Sequence, residues 1–146
     1  MTIDSQNDRF DDNLIGGLIL GGQEGMGATV SNDNVVNLTM HAGSMARNRG
    51  VLLDFSGGLS VVGGSATTAG STSRNPVKVS IVGLRFSDNR DTDVKAWGAK
   101  ASPVAPAGTH NTVKVKLQGV SAQAVTDKVD SDPLEPAGTN RATIVQ

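Results

Sequence analysis

Three aspartates crowd one short segment of this chain. Asp88, Asp91 and Asp93 lie close together, and carboxylate oxygens are ligands that Ca²⁺ prefers in proteins. Their spacing does not match the EF-hand loop, and basic residues are interleaved with them. The sequence names Asp88, Asp91 and Asp93 as candidate Ca²⁺ ligands, with a surface turn held by ion pairs as the alternative. The sequence predicts no cofactor, and Ca²⁺ is the alternative that these aspartates raise.

Acid pairs are the second kind of residue that could do chemistry. Glycoside hydrolysis needs two carboxyl groups about 5–9.5 Å apart. Asp11 and Asp12 are adjacent, whereas Glu24, Asp54 and Asp93 have no evident partner acid. No residue is assigned a catalytic role, and the chain is expected to be non-catalytic.

The remaining reactive side chains are few. The chain has no cysteine, which excludes disulfides, thiol chemistry and cysteine-ligated metals. Its two histidines, His41 and His110, form neither a catalytic triad nor a metal site by themselves. Trp97, the only tryptophan, is a candidate for stacking on a sugar ring, and packing at the end of a strand is the alternative.

Composition limits the partners and the core. The chain has 146 residues, enough for one domain, with 3% aromatic residues and 18 glycines. Its formal charge of −1 gives no overall attraction for nucleic acid, and no apolar stretch reaches the roughly 18–20 residues of a membrane helix. We therefore expect no nucleic-acid partner and no membrane partner. The acidic start, residues 1–12, does not resemble a signal peptide.

Two sequence elements recur along the chain in the same order. One begins with Asn and alternates apolar residues, and its copies start at Asn34, Asn75, Asn111 and Asn140. The other places a large apolar residue three positions before an Asn, as in 85–89, and its copies are 9–13 and 44–48. An apolar segment follows each copy of this second element; the three segments are 18–20, 51–53 and 94–97. Internal repetition of this kind indicates a solenoid.

Alternation of apolar residues with period two predicts half-buried strands, and identical repeats favour parallel stacking. Stacking predicts an Asn ladder of Asn13, Asn48 and Asn89. It also predicts a corner at Ala42, Gly83 and Gly119, and four apolar columns: Val36, Val77, Val113 and Ala142; Leu38, Val79, Val115 and Ile144; Met40, Ile81 and Leu117; Phe10, Met45, Phe86 and Ala122.

The opposite face of the same strands is polar. Asn37, Lys78, Lys114 and Lys116 would point outward, with Lys78 and Lys114 one strand spacing apart. Together with Trp97, these are the candidate ligand-binding residues, and an acidic polysaccharide is the ligand they would suit. A solvated face whose lysines oppose aggregation is the alternative.

The stretch Asn-x-Val-x-Val-x-Ile-x-Gly-x-x-Phe-x-x-Asn at 75–89 resembles the repeat of the pectate-lyase-like superfamily of right-handed parallel β-helices. The resemblance covers residues 9–146. It implies an all-β solenoid of about three to four coils, with loops at 22–33, 56–74, 98–110 and 126–139. The family's lyases use calcium-binding acids with a basic residue, but no motif here matches theirs, so no catalytic residue is carried over. The alternative fold is a β-sandwich, which does not predict position-by-position repetition.

The first repeat begins in the middle of its unit. We therefore expect a flexible segment at 1–8 and one β-helix domain at 9–146, the C-terminal part of a longer bacterial solenoid. A second copy of the chain would cover the open end. The location is extracellular if a leader precedes Met1, and otherwise cytoplasmic. The predicted function is a structural or carbohydrate-binding module, and the alternative is a fragment of a polysaccharide lyase or glycoside hydrolase.

Overall fold

The computed structural model describes residues 1–24, 31–49, 57–66, 72–100, 108–122, 125–128 and 139–146. Within these ranges the chain forms eleven β-strands and no helix. The strands are β1 Thr2–Gln6, β2 Gly17–Glu24, β3 Val36–His41, β4 Ser44–Ala46, β5 Leu59–Ala66, β6 Pro76–Val82, β7 Arg85–Ser87, β8 Val94–Lys100, β9 Thr112–Gln118, β10 Val125–Lys128 and β11 Arg141–Val145.

Every strand pairing in the described residues is parallel, and the strands form three sheets. The first sheet has the order β1-β3-β6-β9-β11, the second is β4-β7, and the third is β2-β5-β8-β10. The chain visits the three sheets in this cyclic order, which is compatible with a β-solenoid. The all-β class and the parallel stacking expected from the repeats are confirmed.

The predicted apolar columns of the first sheet are confirmed in register. Val77 lies opposite both Val36 and Val113, and Val79 and Ile81 hold the equivalent places in the next two columns. Met45 lies opposite Phe86 in the second sheet. These side chains are buried in one core that also contains apolar residues of the third sheet. A core built from stacked Val, Ile and Leu needs few aromatic residues, which explains the composition.

Strands β2 and β8 of the third sheet contain the predicted apolar segments 18–20 and 94–97, whereas β5 occupies a segment that was predicted to be a loop. Strand β5 lies within the expected loop 56–74 and pairs with β2 and β8. The apolar segment 51–53 was expected at this place between β2 and β8, and it lies outside the described residues. The glycines of 56–74 made that segment look like a loop, yet glycine is what the packing requires. A Cβ on Gly58 would lie 2.0 Å from the backbone oxygen of Asp93, and one on Gly63 would lie 2.3 Å from that of Gly98.

The first repeat is more complete than the sequence indicated. Strand β1 lies in the segment 1–8 and pairs along its whole length with β3, so that Ile3 lies opposite Leu38 and Ser5 opposite Met40. The sequence did not indicate this strand because Ile3 is the only apolar residue within β1. The first repeat therefore does not begin in mid-unit at Arg9.

Asparagine ladders join the rows at two corners. The predicted ladder is confirmed: the side chain of Asn13 donates to Oδ1 of Asn48, and that of Asn48 donates to Oδ1 of Asn89. A longer ladder was missed, although its members begin the repeats from which the strands were predicted. It runs through Asn34, Asn75, Asn111 and Asn140.

Left-handed backbone conformations mark the corners. Ala42, Gly83 and Gly119 have φ of 57°, 65° and 61°, at the corner predicted from the repeats. At the corners that carry the asparagine ladders, the residue before each ladder asparagine from Asn13 to Asn111 also has a positive φ. At these corners, charged residues of opposite sign occupy equivalent positions in successive rows. Arg47 pairs with Asp12 at 2.6 Å, and Arg74 pairs with Asp33 at 2.7 Å.

Replacing Asn111 with Ala tests the longer ladder. Asn111 is fully buried and accepts from the backbone N–H and the side chain of Asn75. A buried donor left without an acceptor costs about 1–3 kcal/mol, so the Asn111→Ala variant should lose about 3 kcal/mol of unfolding free energy in urea. Asn34→Ala, at the exposed end of the same ladder, should lose less than about 1 kcal/mol. Equal losses would contradict a structural role for the buried ladder.

The corner ion pairs predict a dependence of stability on pH. The hydrogen bond from Arg74 and its positive charge lower the pKa of Asp33, although partial burial opposes them. A carboxyl whose pKa is lower in the folded state contributes stability above its unfolded pKa of about 3.9 and loses that contribution as the pH falls. Asp33→Asn should therefore lower the urea midpoint at pH 6 and lose less stability than the native chain between pH 5 and 2. Asp4→Asn is the control, because Asp4 makes no salt bridge within the described residues.

Candidate functional site

The outer side of the first sheet brings four cations together. We call Lys78, Lys114, Lys116 and Arg141 the cationic face. Lys78 lies directly opposite Lys114, and Lys116 follows two positions later on β9. Arg141 begins β11, next to β9, and all four side chains are exposed. The repeats predicted the three lysines on this face but not Arg141, because the last repeat is short.

Asn37 and the hydroxyl groups extend this face. Asn37 pairs with Thr2 and Lys78, and Thr143 pairs with Lys114, so this column is polar in all five rows of the sheet. Ser80 pairs with Lys116 in the neighbouring column. The strand register places Asn37, Lys78 and Lys114 side by side in three successive rows. The result is a surface of point charges and hydrogen-bonding groups at strand spacing.

The charges of the cationic face are locally unbalanced. Like charges opposite each other in a sheet are destabilising, yet Lys78 and Lys114 occupy paired positions about 4.7–4.9 Å apart. The outward positions of β6, β9 and β11 carry no acid, and the acid on this side of the sheet, Asp4, lies on β1. None of the four cations makes a salt bridge within the described part of the chain. Because the formal charge of the whole chain is −1, this surplus is a property of the face.

Trp97 is not part of this surface. Its side chain is 2% exposed and packs with Val62, Ile15 and Leu20 on the side of the third sheet away from the main core. The ammonium group of Lys95 lies 5.2 Å from the ring centre. The alternative that Trp97 packs as a structural residue is the correct one, because the third sheet has a second apolar cluster that the sequence did not reveal.

The three aspartates of the candidate Ca²⁺ site make separate contacts. Asp91 pairs with Lys95 at 2.9 Å, Asp93 is buried and accepts from the side chain of Asn89, and Asp88 is exposed at a corner. No group of three or more acidic or histidine side chains in the described residues is arranged to hold a metal ion. The turn is held by ion pairs and hydrogen bonds, which was the alternative interpretation.

Asp11 and Asp12 are both committed to structural contacts. Burial alone would raise the pKa of Asp11, but hydrogen bonds from Ser44 and Arg9 lower it. The pKa of Asp12 is lowered by its hydrogen bond with Arg47. A glycosidase acid needs a raised pKa, so this pair does not suit that role. The other candidate acids, Asp54 and the side chain of Glu24, lie outside the described residues.

A groove crosses the outer side of the second sheet. We call it the arginine groove; its volume is about 420 Å³, and Arg9, Arg47 and Arg85 line it together with Asp11, Ser44 and Ser87. The sequence did not indicate this groove, because its residues come from three repeats and do not share one type. The repeated string 85–89 was the available signal, since stacking places Arg85 opposite Ser44 and Ser44 opposite Arg9.

Neither a membrane-spanning helix nor a similar known protein indicates a function for these surfaces. The described residues contain no helix with the length and apolar character for crossing a membrane. No family model, no curated protein and no solved structure matches the chain.

Proposed function

We propose that the fold is a right-handed parallel β-helix similar to those of the pectate-lyase-like superfamily. The cyclic order of the three sheets and the matched registers support this proposal. Connections between parallel strands of one sheet are right-handed in about 98% of cases. The five strands of the first sheet bound four circuits of the chain, at the upper end of the three to four coils expected.

We propose that the chain is a non-catalytic β-solenoid module that binds an acidic polysaccharide on its cationic face. The observation that supports this most is the opposition of Lys78 and Lys114, with Lys116 and Arg141 beside them and no acid on the same three strands. Such repulsion weakens the sheet. A bound polyanion would relieve it, because each anionic group could sit between two ammonium groups.

The shape of the face suits an extended carbohydrate chain. Successive rows are about 4.7–4.9 Å apart, and successive outward residues on one strand are about 6.6–6.8 Å apart. Hydroxyl and amide groups of Thr143, Ser80 and Asn37 lie among the cations and can bond to sugar hydroxyls. Because the groups repeat in two directions, several sugar units could be contacted at once.

Removing the opposed lysines tests this function. We expect the Lys78→Ala/Lys114→Ala variant to bind polygalacturonate, alginate or hyaluronan roughly tenfold more weakly in titration calorimetry at low salt. Binding by the native chain should weaken as salt is added, because exposed charges are screened. Neutral dextran should not bind.

The control removes two other exposed cations. Arg49 and Arg90 lie at the corner after the second sheet, outside the cationic face, so Arg49→Ala/Arg90→Ala should bind the acidic polysaccharides like the native chain. Equal losses in the two double variants would show non-specific attraction and contradict the proposal. Release of new chain ends from these polysaccharides, with or without Ca²⁺, would instead support the enzyme alternative.

We further propose that two copies of the chain associate through the outermost row next to β1. Phe10, Leu14 and Leu18 are 37%, 61% and 38% exposed there, whereas Met45 and Phe86, which follow Phe10 in its column, are buried. Apolar side chains grouped on one surface favour association. A two-fold contact would bury the same residues on both copies.

Light scattering with a charged substitution tests this association. The native chain should have the mass of a dimer, and Leu14→Asp should have the mass of a monomer because a carboxylate would be buried in the contact. Val145→Asp, at an exposed apolar residue of the last strand of the first sheet, should remain a dimer. A native chain that is monomeric at high concentration would overturn the proposal.

A further inference from the structure

Asp11 fills one half of the arginine groove with its own carboxylate. That carboxylate accepts hydrogen bonds from the Ser44 hydroxyl at 2.9 and 3.1 Å, from the Ala46 backbone N–H at 3.0 Å, and from the Arg9 guanidinium at 3.1 and 3.2 Å. The donors come from two adjacent rows of the stack. Backbone and side-chain donors of this groove therefore already bind one carboxylate, that of Asp11.

In the next row of the stack, the position equivalent to Asp11 carries no carboxylate. Ala46 takes the position of Asp11 in the repeat, and its methyl group cannot accept a hydrogen bond. The next row supplies Arg85 opposite Ser44 and Ser87 opposite Ala46. Arg85 is exposed and makes no salt bridge within the described residues. Among the described residues that line it, this half of the groove has hydrogen-bond donors in place but no carboxylate.

We propose that this half of the groove binds the carboxylate of a sugar acid, held by Arg85 and Ser87 above Ala46. A guanidinium can form two parallel hydrogen bonds with a carboxylate, the strongest and most directional contact in this setting. The groove as a whole has a volume of about 420 Å³, enough for one sugar unit that extends beyond this half, and the hydroxyl of Ser44 and the amide of Asn7 line the same groove. The site lies on the second sheet and does not depend on the cationic face.

Arg85 sets the ligand specificity of this half of the groove. Arg9 is bound to Asp11 and Arg47 to Asp12, so their charges are largely compensated. Arg85 is the cation with no such partner, about one strand spacing from Ser44 and two from Arg9. Arg85 is therefore the lining cation that has no salt bridge within the described residues, which suits a single carboxylate on a hydroxyl-rich molecule better than a polyanion.

Backbone amide NMR with monosaccharides tests the site. Glucuronate should shift the signals of Ser44, Arg85 and Ser87 in a saturable way, whereas glucose at the same concentration should not. Arg85→Ala should weaken binding roughly tenfold or more, and Arg85→Lys should recover only part of it because the paired hydrogen bonds are lost. Arg90→Ala, at an exposed arginine away from the groove, is the matched control and should bind like the native chain. Glucose 6-sulfate in place of glucuronate shows whether a sulfate is accepted; binding as tight as that of glucuronate would contradict selection of a carboxylate.

Ala46→Asp supplies a second, independent test. The new carboxylate would occupy the open half as Asp11 occupies the other, so glucuronate binding should disappear. Unchanged binding in Arg85→Ala, or equal shifts with glucose, would overturn the proposal even if Ala46→Asp failed to fold. Loss of glucuronate binding in Lys78→Ala/Lys114→Ala would place the ligand on the cationic face and overturn it as well. Retention there, together with loss of polysaccharide binding, would separate the two sites.

Discussion

Parallel stacking in register, with each residue lying on its counterpart one strand spacing away, is the constraint on which the rest of this structure depends. The column through Val36, Val77 and Val113 shows its effect, because one residue type is repeated where one space is repeated. Each row buries the apolar face of its neighbours. A narrow core can then be built from Val, Ile and Leu, and short glycine-rich strands such as β5 can pack where backbones approach closely.

At its corners, such a stack would leave polar backbone groups without hydrogen-bond partners. Asparagine side chains supply those partners. The amide of Asn75 accepts from the row before it, where Asn34 lies, and donates to that row's backbone. Buried N–H and C=O groups are therefore satisfied while the chain changes direction. Left-handed residues precede these asparagines and turn the chain without breaking the ladder.

Stacking also places charged residues of successive rows beside one another. Whether these neighbours have opposite or like charges differs between the surfaces of the protein. At the corners, acids and arginines alternate, as in the pairs of Asp12 with Arg47 and Asp33 with Arg74. On the outer side of the first sheet, Lys78 faces Lys114 instead. A chain able to pair charges across rows at its corners does not do so on this face. That contrast is the physical basis for treating the cationic face as a binding surface, and the open half of the arginine groove departs from the same pairing rule.

The sequence by itself determined the all-β class, the columns of the first sheet and the ladder through Asn48, because period-two alternation and repeated residue types both survive in the linear order. It also identified Lys78 and Lys114 as neighbours. Only the tertiary structure decided that Trp97 is buried, that β1 completes the first row, and that Leu59–Ala66 is a strand of the third sheet. The reason is physical: these outcomes depend on how closely separate rows and faces approach one another. That distance is not written in the alternation of a single segment.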